Sequence, residues 1–494
     1  MVFIYLISGL FLGWTLGAND TGNIFGAAVE TRMLRFRQAA LIAAIFISLG
    51  AILEGSGPSQ TLGRLGSVDA LGGAFTVALS AAAAITVMVR IRIPVSTSQT
   101  IVGAIIGWNF FSGRLTDFAS LLTIASSWVT AFLLSGGISA LLFYIFRRAL
   151  NRSKMHLLEQ DYYTRIALVL VGAFAAYSLG ANNIANVVGV FVPVSPFRDL
   201  SLGGLYTLDG VQQLYIIGAV SIVVGIYTYS HKVMRTVGRD LLHLSPITAL
   251  IVLLAQAIVL FLFASRGLHE AFLKLGIPPI PLVPVSSTQV VVGAVVGIGL
   301  VKGGKNLKLN ILGRISMGWI LAPLMAFFFS FIALFIIQNV FEQEVMQNLK
   351  YSFNSTTVRE IRAQNLSEGA LALVNGRTFH SQQEIYNELS SSHSFTKPEI
   401  LKIIDIVEVY PLKIDSSLLY KRGLHKRFST EQLESLKSLE ERSFKHKWSL
   451  KKTLWGKPGW DFREKPHTEL EALHNQKLDA ALDLLYRSFY HPEQ

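Results

Sequence analysis

Between residue 3 and about residue 338 the chain alternates long apolar runs with short polar stretches. Runs over 3–17, 39–53, 70–89, 94–111 and 118–146 form one group, and runs over 166–196, 208–230, 246–265, 286–301 and 311–338 form a second. Several reach the ~20 residues that a helix needs to cross a hydrocarbon core. The grouping predicts a first transmembrane repeat over 1–146, a basic cytoplasmic connection over 147–165 and a second repeat over 166–338. Each repeat is read with five crossings. An odd number turns the second copy upside down relative to the first, the arrangement of an inverted-topology repeat.

From about residue 340 the pattern changes: charge rises, apolar runs shorten, and helix start signals appear. Ser429-Thr-Glu-Gln432 and Thr468-Glu-Leu-Glu471 read as capping boxes. Leu470, Leu473, Leu478, Ala481, Leu482 and Leu485 then mark one face of a helix. Residues 340–494 are therefore expected to form a soluble, mainly helical domain. It contains no nucleophile–base pair and no metal-ligand spacing. Its basic run, Lys421-Arg-Gly-Leu-His-Lys-Arg427, reads as a solvated face ahead of a lipid contact, and Asn354-Ser-Thr356 and Asn365-Leu-Ser367 match the glycosylation pattern.

Two polar motifs break the apolar pattern, and each occurs twice in the same order. Leu16-Gly-Ala-Asn-Asp-Thr-Gly-Asn23 is echoed by Leu179-Gly-Ala-Asn-Asn-Ile-Ala-Asn186. Pro94-Val-Ser-Thr-Ser-Gln-Thr-Ile-Val-Gly103 is echoed by Pro284-Val-Ser-Ser-Thr-Gln-Val-Val-Val-Gly293. Matched motifs in matched halves place a functional site where the halves meet.

Composition agrees with a membrane protein. Hydrophobic residues make up 51% and charged residues 15% of the 494 residues, and mean hydropathy is +0.45. The chain has no cysteine, so disulfides and thiolate metal sites are excluded. The first apolar run leads straight into the Asn-Asp motif and is read as a permanent span, not a cleaved signal. Up to residue 339 there are 22 basic against 11 acidic residues, whereas the remainder is nearly balanced. This distribution speaks for topology and against nucleic-acid binding. With the amino terminus outside, only Arg64, Arg114, Arg198, Arg266 and Lys274 of those basic residues fall outside the cytoplasm, as the positive-inside rule requires. Both chain ends then face out of the cytoplasm from an inner cell membrane.

A carboxylate inside a span is costly, roughly 2.5–3.5 kcal/mol on insertion scales, so Asp20 must be paired, protonated or bound to a cation. No Lys or Arg follows it before Arg32. Asn19 and Asn23 supply neutral oxygens, and Gly17-Ala18 reads as a turn that frees backbone carbonyls. Such a cage suits a hard monovalent cation, since calcium draws on more carboxylates. The plain alternative, a helix cap at the membrane surface, explains one motif but not its repeat.

Pro94 and Pro284 suit the first turn of a helix, and the Ser, Thr and Gln residues after them are donors. Two broken half-helices starting near the midplane would aim free N–H groups and positive dipole ends at one spot, where an anion is held. The competing reading is hydroxyl packing between helices. Glu54 either joins the cation pathway or lies at the outer interface. Gly103, Gly107, Gly293 and Gly297 have the small-xxx-small spacing of helix packing.

At these residues the chain resembles the inorganic phosphate transporter family, the sodium- or proton-coupled phosphate permeases. The four motifs in order, within residues 1 to about 338, carry the resemblance. It implies an all-α polytopic membrane protein with two inverted repeats and re-entrant helices, secondary active uptake of inorganic phosphate, and a homodimer in the bilayer. It implies that Asp20, Asn23, Asn182 and Asn186 help hold the cations; Asn19, Asn183 and Glu54, from their own sequence setting, are further candidates along the cation path. Phosphate would contact Ser98, Gln99, Thr100, Ser287, Thr288 and Gln289. No cofactor is implied beyond the co-transported cation, and no enzyme activity. Asn183 stands where many relatives carry a second Asp, and Gln99 and Gln289 stand where many carry His, which favours sodium over protons. A sulfate permease of the same fold, or a membrane-anchored receptor acting through 340–494, are the rival readings.

Overall fold

The computed structural model describes residues 2–66, 68–91, 93–153, 155–197, 199–202, 206–236, 245–304, 309–364, 366, 371–421, 423–463 and 469–491. The second capping box, Asn365-Leu-Ser367 and Arg422 fall wholly or partly outside them. Two compact units result. The first comprises residues 1–111, 116–197 and 211–346, and the second comprises 112–115, 198–210 and 347–494.

The first unit is helical: α1 (Val2–Glu30), α2 (Phe36–Glu54), α3 (Ser56–Leu65), α4 (Leu71–Arg90), α5 (Thr97–Ser112), α6 (Phe118–Arg152), α7 (Leu157–Val188), α8 (Gly210–Thr228), α9 (Ser230–Thr236), α10 (Pro246–Ala264), α11 (Arg266–Lys274), α12 (Ser287–Val301) and α13 (Leu309–Asn339). Among the described residues, seven helices are long and apolar enough to cross a membrane. Three of the ten apolar runs are not among these seven, for physical reasons. The 16 residues of α5 and 15 of α12 rise about 1.5 Å each, which falls short of a ~30 Å core. Extended backbone leads into both, over 93–96 and 278–286. The 29-residue α1 is long enough but carries the polar motif within it.

One expectation is corrected here. Gly17-Ala18 is not a turn: α1 runs unbroken through Leu16–Asn23, and α7 runs unbroken through Leu179–Asn186. Helix propagation keeps each carbonyl paired four residues on, and the Thr21 hydroxyl adds a 2.8 Å bond to Gly17 O. The motif therefore offers side chains, not loosened backbone.

The second unit holds β1 (Leu200–Leu202) and β2 (Tyr206–Leu208), an antiparallel hairpin, and a tail of α14 (Ser355–Ala363) to α21 (Glu469–Phe489) with two small sheets. One apolar core gathers around Phe353, Ile403 and Val407, another around Trp460, Leu482 and Phe489. The Ser429 capping box forms as read, with Ser429 Oγ accepting from Gln432 N at 3.2 Å and Gln432 Oε1 accepting from Ser429 N at 2.9 Å. Leu478, Leu482 and Leu485 of the predicted stripe are buried. Asn354 caps α14. Arg427, from the basic run, grips Asp199 with two bonds of 2.9 and 3.0 Å. Ser381 Oγ donates to Gly113 O at 2.9 Å, so the 112–115 and 198–210 loops are both bound into this unit.

Within the first unit, the glycines dictate how the helices pair. A Cβ on Gly17 of α1 would strike the Ile222 carbonyl of α8, and one on Gly180 of α7 would strike the Ile47 carbonyl of α2. Gly103 of α5 presses on Pro323 of α13, and Gly293 of α12 presses on Phe132 of α6. Each motif-bearing helix thus packs at backbone contact against a helix from the other half of the chain. Small residues permit such approach where lipid gives no hydrophobic drive between helices. Gly180→Val is expected to lower stability by about 2 kcal/mol through overpacking, while Gly137→Ala, with nothing within 4 Å, should be neutral. Thermal unfolding of the purified protein in detergent measures both.

Candidate functional site

Asp20 joins three of the four motifs: its own, the second Asn motif and the second Pro-Val motif. Its side chain is 1% exposed, and every hydrogen-bond partner is neutral. Asn19 Nδ2 donates to Oδ1 at 2.8 Å, and Asn183 Nδ2 and Ser287 Oγ donate to Oδ2 at 2.8 and 3.0 Å. Donors thus arrive from α1, α7 and α12. Asn183 is the position in the second Asn motif that matches Asp20 in the first, so the two copies of one position face each other across the site.

The second Asn motif repeats the local pattern of the first. Asn182 Nδ2 donates to Asn183 Oδ1 at 2.6 Å, as Asn19 does to Asp20. Asn182 also clamps the extended lead-in to α12: its Nδ2 donates to Val285 O at 2.8 Å, and its Oδ1 accepts from Val285 N at 2.9 Å. A primary amide here does the work of a neighbouring strand, satisfying backbone groups that have no water to turn to. Asn186 Nδ2 donates to Ser98 Oγ at 2.9 Å and so ties α7 to α5.

The two Pro-Val motifs exchange matched bonds. Ser98 Oγ donates to Val285 O at 3.1 Å, and Thr288 Oγ1 donates to Val95 O at 3.0 Å. Ser98 and Thr288 are equivalent positions, as are Val95 and Val285, so each motif does to its partner what the partner does to it. The two bonds are therefore reciprocal between the motifs. Ser96 Oγ accepts from Gln99 N and Ser286 Oγ from Gln289 N, both at 3.2 Å, capping α5 and α12 alike. The first two N–H groups of each helix have no intrahelical acceptor. Gln99 Oε1, Gln289 Oε1, Thr97 Oγ1 and Asn186 Oδ1 are buried with no protein partner. Buried polar atoms are usually paired, so these mark capacity for a polar ligand.

Ten of the residues singled out by sequence meet in this region: Asp20, Asn19, Asn182, Asn183, Asn186, Ser98, Gln99, Ser287, Thr288 and Gln289. Thr100 turns inward on its own helix, its hydroxyl donating to Ser96 O at 2.8 Å. Asn23 is half-buried one turn along α1, with its Nδ2 unpartnered. Glu54 is engaged elsewhere, accepting from Arg266 N at 2.9 Å and from Ser265 Oγ at 3.3 Å at the start of α11. The two halves also differ in access: Asn19 and Asn23 are half-buried, whereas Asn182 and Asn186 are fully buried. Sequence reading missed the Val285 backbone and Gln256 of α10. The first has no side-chain signal, and the second is a lone polar residue inside an apolar run.

Asn182→Leu leaves two buried backbone groups of Val285 short of a partner and should destabilise the protein by about 2 kcal/mol. Ser98→Ala and Thr288→Ala each remove one neutral bond and should cost about 1 kcal/mol apiece. Detergent-solubilised thermal unfolding of the three variants tests the ranking.

Residues 16–330 and 280–406 match the Phosphate transporter family, so the likeness continues past residue 338 into the tail. A candidate phosphate permease of Methanocaldococcus jannaschii is 28% identical over 327 residues, covering 66% of this chain and 95% of its own. One from Haemophilus influenzae is 24% identical over 430 residues, covering 69% and 97%. A solved structure titled the sodium-dependent phosphate transporter shares the fold, with a TM-score of 0.56 at 23% identity, over 68% of this chain and 98% of its own. With a family match over more than half its length, the chain belongs to the phosphate transporter family.

Proposed function

We propose that this protein takes up inorganic phosphate by symport with a cation, sodium, through alternating access. Phosphate sits at the paired starts of α5 and α12, held by Ser98, Gln99, Ser287, Thr288 and Gln289, while Thr100, expected from the sequence as a sixth contact, keeps its hydroxyl on Ser96 O. The cation sites draw on Asp20, Asn23, Asn182 and Asn186, with Asn19 and Asn183 orienting the carboxylate. Family membership supports the substrate, and a neighbour titled as sodium-dependent supports the cation.

The observation that carries the coupling is the setting of Asp20. A buried carboxylate with neutral partners only repels an oxyanion at the helix starts beside it. A monovalent cation bound at Asp20 removes that repulsion, so anion and cation bind together and neither binds well alone. The helix ends add their partial positive charge.

Alternating access draws support from the reciprocal Ser98–Val285 and Thr288–Val95 bonds, which fit two inverted repeats. It draws support too from the unequal burial of the two Asn motifs. Two copies of one element held in different states are what a rocking mechanism requires. The orientation with both termini outside is consistent with the second unit, since loops 112–115 and 198–210 belong with the tail and all three fall outside the cytoplasm in the charge-based topology. A homodimer completes the reading.

Uptake of radiolabelled phosphate into proteoliposomes tests it. An inward sodium gradient is expected to drive uptake, and Asp20→Asn to reduce it at least about 100-fold, the scale of losing a charge-assisted contact of roughly 3 kcal/mol. Uptake driven by protons alone would overturn the sodium assignment, and sulfate uptake without phosphate uptake would overturn the substrate.

A further inference from the structure

Gln256 sits in the middle of α10, the most hydropathic of the seven spans. Its side chain is fully buried, and neither its Oε1 nor its Nε2 has a hydrogen-bond partner. A buried amide with both ends unsatisfied is rare in a native protein and asks for a ligand.

The packing of three helices fixes where it lies. Val252, Ala255, Gln256 and Val259 follow the i, i+3, i+4, i+7 spacing of one helix face. Val252 and Ala255 of that face pack in one cluster with Ala27 of α1 and with Val291 and Ala294 of α12. One helical step away, Ser287 of α12 is bonded to Asp20 of α1 at 3.0 Å. Val283 N, just before α12, donates to Phe263 O near the end of α10 at 3.2 Å, so α10 runs antiparallel to α12. Following these registers turn by turn brings Gln256 level with Asn23 of α1 and Val290 of α12. The Asn23 amide is also incompletely paired, its Nδ2 having no partner. Two helices, α10 and α1, therefore present incompletely paired amides at one level, about one turn from the Asp20 carboxylate.

We propose that Gln256 is a further cation-contact residue, giving its amide oxygen to a monovalent cation on the path that leads to Asp20. The nearby carboxylate decides the sign: it favours a cation and disfavours an oxyanion at this level. The role rests on the sodium-symport reading above and adds to it a ligand from α10, a helix outside the repeated motifs.

The test uses the full chain in two assays. In detergent without phosphate, sodium should raise the unfolding temperature of the wild type. Gln256→Leu should need at least about tenfold more sodium for the same rise, as expected for one lost contact to a charge. In proteoliposomes its half-maximal sodium concentration for uptake should rise in parallel, while half-saturation by phosphate at high sodium stays unchanged. Gln256→Asn, one methylene shorter, should fall between the two and guards against misfolding of the leucine variant. An unchanged sodium requirement in both variants overturns the proposal, as does a shift confined to phosphate half-saturation. A wild type with neither sodium-induced stabilisation nor sodium-driven uptake sinks the symport reading itself.

Discussion

The burial of one carboxylate in the interior of a membrane bundle is the constraint from which the rest of this structure follows. Asp20 has no lysine or arginine against it, so neutral donors must surround it. Those donors come from three helices that are distant in sequence. Bringing α1, α7 and α12 to one point requires close helix contacts, and the chain supplies glycine at each of them. Where the half-helices α5 and α12 leave extended backbone in the interior, Asn182, Ser98 and Thr288 satisfy it. Polar satisfaction and small-residue packing are therefore one design seen at two scales.

The pairing across halves gives the bundle its coherence. Because α1 leans on α8 and α7 on α2, neither half could keep its motif in place if separated from the other. The hydroxyl bonds of α6 to α12, Ser135 to Val290 O at 2.6 Å and Ser139 to Ala294 O at 2.8 Å, continue the same interleaving.

Much of this was legible in the sequence because it is written twice. Duplicated motifs singled out residues that meet in one buried region, and the small-xxx-small spacing of Gly103, Gly107, Gly293 and Gly297 announced helix contacts. What could not be read was of three kinds. Gly17-Ala18 resembles a turn by composition, yet helix hydrogen bonding and the need to approach Ile222 keep it helical. Partners across the halves, such as Gly180 with Ile47, depend on three-dimensional register that no single run contains. The lone Gln256 and the backbone of Val285 carry no repeat to set them apart. Glu54 belongs here too: its carboxylate serves the start of α11, a helix that the apolar pattern did not disclose.

When a protein is built from two copies of one sequence, a residue on the axis between them meets its own counterpart. Positions 20 and 183 are matched positions of the two Asn motifs, and a 2.8 Å bond joins them. Two aspartates there would carry a double negative charge and need two positive charges to balance it; two asparagines would need none. This chain has one of each, so the matched positions differ in charge. When ionised, the pair carries one negative charge in place of two or none, and one monovalent cation would balance it.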